Sequence, residues 1–126
     1  MERLFWICLG GAVGTAARYG VGLWAVNRFS GPLPIGTIAV NLVGCFAIAL
    51  LMTLATALEW PATVRMGLTV GVLGGFTTYS SFNYETATLL IEGASGTAAL
   101  NLLITTCGGL IAGLLGLVCA RQIIGQ

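Results

Sequence analysis

An all-helical membrane protein is the fold class this sequence predicts, and three observations predict it. Hydrophobic residues make up 57% of the 126 positions and charged residues only 7%, a balance far outside that of soluble domains. The apolar residues fall into four runs, each close to the roughly 20 residues that carry a helix across a hydrocarbon core. Short turn-forming stretches, "NRFSGPLP", "EWPATVR" and "EGASG", separate the runs, which leaves room for one four-helix domain over residues 1–126 and for little else.

Taken in order, the first span covers about residues 4–26. It is too long for a signal-peptide core and has no convincing small-residue cleavage site, so it reads as retained. Gly31, Pro32 and Pro34 then mark a turn and the entry to a second span over about 35–58. The next linker holds Pro61, the charges Glu59 and Arg65, and Trp60 where an interfacial aromatic anchor belongs. A third span extends over about 64–91, and a fourth over about 97–119, ending at Arg121. The "GGAVG" of the first span lies inside an apolar helix with no strand before it, so it is not a phosphate-binding loop.

The charges exclude several functions. Arg3, Arg18, Arg28, Arg65 and Arg121 are the only cations, with no Lys or His, so no basic patch exists to hold nucleic acid. Cys8, Cys45, Cys107 and Cys119 stand singly in apolar runs, which reads as small buried hydrophobes and not as a metal or redox site. An enzyme would need a nucleophile and base pair or a metal cluster, and none is visible. Arg3, Arg65 and Arg121 fall on one side of the membrane and Arg28 on the other, a bias weak enough for both orientations to be populated. Antiparallel pairing then becomes available. Four helices alone enclose no wide pathway, so transport would require at least a dimer. Gly10 and Gly14, the series Gly67, Gly71 and Gly75, and Gly109 with Gly113 supply small-residue spacings for close helix approach.

The third span contains the anomaly. Its centre, "GVLGGFTTYSSFNYETATLL", carries a glycine pair, four threonine and serine hydroxyls before its carboxylate, and four aromatics. Gly74 and Gly75 weaken the helix, and Thr77, Thr78, Ser80 and Ser81 can bond to backbone, which together predict a local break. Broken helices at membrane depth offer carbonyls to cations and N–H and hydroxyl groups to anions. Other polar residues within the spans are Arg18, Asn41, Asn83, Glu85, Asn101, Thr105 and Thr106. Arg18 and Glu85 read either as functional groups or as a structural pair. Asn41, in "AVNLVG", has no evident polar neighbour. Tyr79 and Phe82 stand three apart on one helical face, where ring edges can meet an anion.

At these residues the chain resembles a known family. "GGFTTYSSFNYE", with "GGAVGTAARY" in the first span and "GTIAVNLVG" in the second, is similar to the Fluc (CrcB-like) family of small bacterial fluoride channels, over essentially the whole length. The resemblance implies a multi-pass protein of the bacterial inner membrane, built as a dual-topology antiparallel homodimer with two fluoride pores and a central structural sodium ion. It implies that Asn41 is a pore-lining amide donor, that Tyr79 and Phe82 form an aromatic box with Ser81 beside it, and that the carbonyls of Gly74 and Thr77 hold the sodium. Arg18 and Glu85 would sit near a pore entrance or serve structure. Two departures stand out: Tyr79 occupies a position that is commonly Phe, and the polar track of the fourth helix, Asn101 and Thr105, runs into Gly109 and Gly113. The function implied is passive fluoride efflux. The rival is a proton-coupled small multidrug exporter, whose coupling carboxylate lies in the first helix, where this chain has Arg18.

Overall fold

The computed structural model describes residues 1–125. Helix α1 spans Glu2–Arg28 and α2 spans Ile35–Ala57, joined by a loop in which Pro34 stands at the N-terminus of α2. Pro61 has the same place before α3 (residues 62–76), where its missing N–H leaves no bond unmade. Helix α3 is not uniform. An α-helical turn, Ala62–Met66, passes into a π-helical stretch, Gly67–Leu73, and returns to a short α-helical piece, Gly74–Phe76. Thr77 and Thr78 are extended, with φ/ψ of −86°/158° and −153°/109°, before α4, Tyr79–Ile91. Helix α5, Ser95–Ile124, contains a second π stretch at Ile104–Gly108. Gly125 follows with φ of 75°, the left-handed conformation that terminates helices without a Cβ penalty.

Helices α1, α2 and α5 are each long and apolar enough to cross a bilayer, and the described residues contain no strand. The chain is an all-α membrane protein. Two spans outrun their sequence limits: α1 begins at Glu2 and ends at Arg28, and α5 continues past Arg121 to Ile124. Arginine at a helix end does not stop the helix, because its stem lies along apolar surface while its charge reaches the interface and favours the C-terminal dipole. The cysteine expectation needs correcting, since Cys8 and Cys107 are exposed on the protomer and Cys45 and Cys119 half-buried. Cys8 and Cys107 thus stand on outward faces of the protomer and not in its core.

Packing divides into two pairs, α1 against the π stretch of α3 and α2 against the C-terminal half of α5. The first pair depends on glycine. A Cβ on Gly71 would lie 2.8 Å from the Ile7 carbonyl oxygen, and one on Gly75 would lie 2.6 Å from that of Gly11. Backbone meets backbone there, so no side chain can move aside. Small buried residues such as Ala25, Ala98 and Ala120 continue the close packing elsewhere, while Leu103, Leu110 and Ile111 cover the exterior.

Gly71→Ala is therefore expected to lower the thermal unfolding temperature in detergent, as an overpacking strain of about 1–3 kcal/mol would. Gly20→Ala, where a Cβ meets nothing within 4 Å, should leave it unchanged or raise it. Equal effects from the two substitutions would contradict a glycine-dependent crossing.

Candidate functional site

The site grows from the two extended residues. In a continuous α-helix the N–H of residue 78 would reach the carbonyl of residue 74, and that of residue 81 the carbonyl of residue 77. Both donors go elsewhere. The Thr78 N–H donates to Asn41 Oδ1 at 2.9 Å, and Asn41 Nδ2 donates back to the Thr78 carbonyl at 3.1 Å. The Ser81 N–H donates to Thr78 Oγ1 at 3.2 Å, an N-cap on α4, and the Thr78 hydroxyl donates to Ser81 Oγ at 3.0 Å. Arg18 Nε donates to the Gly75 carbonyl at 3.0 Å. Thr77 turns its hydroxyl and its N–H back to the Leu73 carbonyl, both at 3.0 Å. What results is a helix end whose Gly74 and Thr77 carbonyls have lost their helical donors, at the partially negative pole of α3.

Asn41 thus has the polar neighbour that the sequence did not reveal. Its amide pairs with a single residue as one backbone pairs with another, across 37 positions of chain. Arg18 and Glu85 do not pair with each other. Glu85 Oε1 accepts from Thr37 Oγ1 at 2.8 Å, and its other oxygen is buried without a hydrogen-bond partner among the described residues.

A groove of about 450 Å³ runs along the open side of this helix end and brings together Asn41, Gly74, Thr77, Tyr79, Phe82 and Thr105. The Tyr79 and Phe82 ring centroids are 5.7 Å apart with planes tilted by 60°. Phe82 is buried, whereas Tyr79 is 77% exposed on the protomer. Beneath Phe82 a relay of polar groups ties α4 to α5. The Phe82 carbonyl accepts from Thr86 Oγ1 at 2.7 Å, which accepts from Asn101 Nδ2 at 2.9 Å, and Asn101 Oδ1 accepts from Thr105 Oγ1 at 3.3 Å. Asn101 is fully buried in this relay and does not line the groove.

The other candidates gather elsewhere. Arg18 and Ser81 line a second hollow of about 390 Å³ with Thr15, Thr37 and Thr78. Glu85 lines a third of about 250 Å³ under the loop that holds Pro32 and Pro34. Sequence reasoning missed Thr37 and Thr86, although each had a signal: Thr37 precedes Asn41 by four residues and Thr86 follows Phe82 by four, so each shares a helix face with a residue already singled out. Among the described residues no cluster of three His, Cys, Asp or Glu side chains is placed to hold a metal ion.

Residues 5–117, which include every residue of this site, match the family model described as CrcB-like protein, Camphor Resistance (CrcB). The chain belongs to the CrcB family. It is 51% identical over 126 residues to the fluoride-specific ion channel FluC of Sorangium cellulosum (strain So ce56), covering 98% of both chains. It is 44% identical over 126 residues to the protein of the same name from Anaeromyxobacter sp. (strain K), covering 99% of this chain and 100% of that one. A third such protein, from Chloroflexus aurantiacus, is 44% identical over 122 residues, covering 96% and 97%. Each of these CrcB relatives matches from end to end, so the stretch around Asn41 and residues 74–82 lies within the similarity and not in an appended segment.

Removing the Asn41 amide should unmake both bonds to Thr78. Asn41→Ala is expected to destabilise the fold by about 2–5 kcal/mol, the cost of two backbone groups left without partners, read as a fall in thermal unfolding temperature. Asn83, exposed on the same polar stretch, gives the control: Asn83→Ala should change little. Indistinguishable unfolding of the two variants would show that Asn41 does not hold residue 78.

Proposed function

We propose that this chain is a fluoride-selective channel that lets fluoride leave the cell passively across the bacterial inner membrane, and that it is not an enzyme. The observation that carries this reading is the groove itself: an amide, two aromatic rings and a hydroxyl converge beside a helix end, while the nearest guanidinium, Arg18, is turned to the Gly75 carbonyl. A small, strongly hydrated anion can exchange its water for such neutral donors, and neutral donors release it again. A fixed cation would bind it more tightly and slow its exit. The positive edge of an aromatic ring adds a weak, sequence-tolerant contact. Tyr79, in the place where the family commonly has Phe, adds a hydroxyl to this set. The name borne by the end-to-end relatives supports the same assignment.

In this reading the protein crosses the membrane four times. Helices α1, α2 and α5 are single spans, and α3 with α4 forms one span broken at its centre by Thr77 and Thr78. The groove is open on one side and Tyr79 is largely uncovered, so a second copy completes it. The weak arginine bias favours an antiparallel dimer of two oppositely inserted copies, with two pathways. The carbonyls of Gly74 and Thr77, stripped of their helical donors, fit a sodium ion held between the two subunits. The ion would neutralise two facing negative helix ends and fix them in place. Ser81 and Arg18 in the second hollow, and Glu85 with Thr37 in the third, stand where the pathway would open toward water. Thr105 contributes to the wall, and Asn101 supports it from behind. A proton-coupled exporter fits less well, because the first helix presents Arg18 where such a transporter needs a carboxylate.

Purified protein in liposomes should release loaded fluoride far faster than loaded chloride, as followed by ion-selective electrodes. Phe82→Ile removes the ring edge at little loss of bulk, and Asn41→Asp puts a repelling carboxylate on the path. Each is expected to slow fluoride efflux by more than about tenfold, since charge and donor terms here are worth at least that factor. Tyr79→Phe keeps the ring and should be milder. Chloride efflux matching fluoride efflux, or parental rates from both Phe82→Ile and Asn41→Asp, would refute the assignment.

A further inference from the structure

The polar stripe along α5 stops where the proposed pathway still needs donors. Asn101 and Thr105 lie four residues apart, and the next positions on that face are Gly109 and Gly113, which carry no side-chain donor. Asn101 is committed to Thr86 in addition. The helix, however, is not regular at this point. Ile104–Gly108 is π-helical, a wider turn in which consecutive side chains diverge by less than the about 100° of an α-helix. In consequence Thr105 and Thr106, adjacent in sequence, both line the groove. The other π stretch, Gly67–Leu73, turns Thr69 toward the same groove from α3.

These positions lie away from the aromatic pair. Along α2 the lining residues run from Asn41 through Gly44 and Cys45 to Ile48, roughly 10 Å of helix at 1.5 Å per residue. Gly108 stands against Leu42 and Gly109 against Cys45, so the turn holding Thr106 faces the portion of groove beyond Asn41. A threonine in a membrane helix ordinarily satisfies itself on the carbonyl one turn back, and Thr106 does donate to the Leu102 carbonyl at 2.6 Å. The residue is nevertheless exposed on the protomer and lines the groove. Because a hydroxyl rotates about its C–O bond, the same hydrogen can leave the carbonyl for an anion and return to it.

We infer that Thr106, presented by the π turn of α5, supplies the anion donor that Gly109 lacks and carries the fluoride pathway past Asn41 and Thr105. The inference rests on the channel reading and concerns this chain's own departure from the regular stripe. Removing the hydroxyl while keeping the shape, Thr106→Val, slows fluoride efflux from liposomes about tenfold, the worth of one hydrogen bond to an ion. Thr106→Ser, which keeps the hydroxyl, stays within about threefold of the parental rate by the same reasoning. A purely structural loss at residue 106 would instead show as a lowered thermal unfolding temperature of Thr106→Val, which is expected to stay at the parental value, since removing one exposed hydroxyl costs little stability.

Should the valine variant fail to elute as folded protein, Thr106→Ala against Thr106→Ser makes the same comparison with two small side chains. Parental efflux from Thr106→Val, or equal slowing by the serine and valine variants, overturns the inference and leaves the channel reading standing. A parental protein that passes no fluoride removes both.

Discussion

Interrupting a helix between residues 76 and 79 releases backbone groups that need other partners, and the two hydrogen bonds between Asn41 and Thr78 are what satisfy them here. One amide side chain replaces two partners of an absent helical turn. Arg18 on α1 takes one carbonyl of the helix end, and the Thr78 hydroxyl caps the helix that follows. Each contact comes from a different direction, so the conformation is fixed from α1, from α2 and from within. The glycine crossing of α1 on α3 then has a purpose beyond packing. Without close backbone approach at Gly71 and Gly75, Arg18 would stand too far away to reach the Gly75 carbonyl.

The same arrangement decides which groups remain for ions. Backbone donors around residue 78 are spent on Asn41 and Thr78, whereas the Gly74 and Thr77 carbonyls are left over. Oxygen atoms without donors suit a cation, and the amide, hydroxyl and ring edges along the neighbouring groove suit an anion. Two opposite chemistries are therefore separated by a few ångströms of backbone, with Arg18 engaged on the carbonyl side of the division. A pathway lined in this way has little fixed charge. Its selectivity would come from how well weak donors replace a hydration shell and from how narrow the groove is.

Much of the fold could be read from the sequence because composition and run length are properties of single segments. Helices α1 and α2 and the turns at Pro34 and Pro61 lie where the apolar runs and punctuation put them. What stayed hidden was contact between distant segments. Nothing near Asn41 names Thr78 as its partner, nor does anything near Arg18 name Gly75, because these bonds span 37 and 57 residues. Asn101 looked like a continuation of the polar stripe, but its burial against Thr86 depends on how α4 lies on α5. The π stretches left no local trace either, since one residue of slippage in a helix does not disturb an already uniform apolar pattern. Thr106 consequently joined the groove from a position that regular helical spacing assigns to another face.

Everything in this arrangement rests on a helix end held open to expose the Gly74 and Thr77 carbonyls, and a high-resolution structure of the protein in sodium, solved in lipid or detergent, tests that most directly. The expected result is two antiparallel subunits with a single non-water ion on their twofold axis, ligated by the Gly74 and Thr77 carbonyls of both, and with Asn41 bonded twice to Thr78. A continuous helix through residues 74–80, parallel subunits, or an axis without an ion would contradict it.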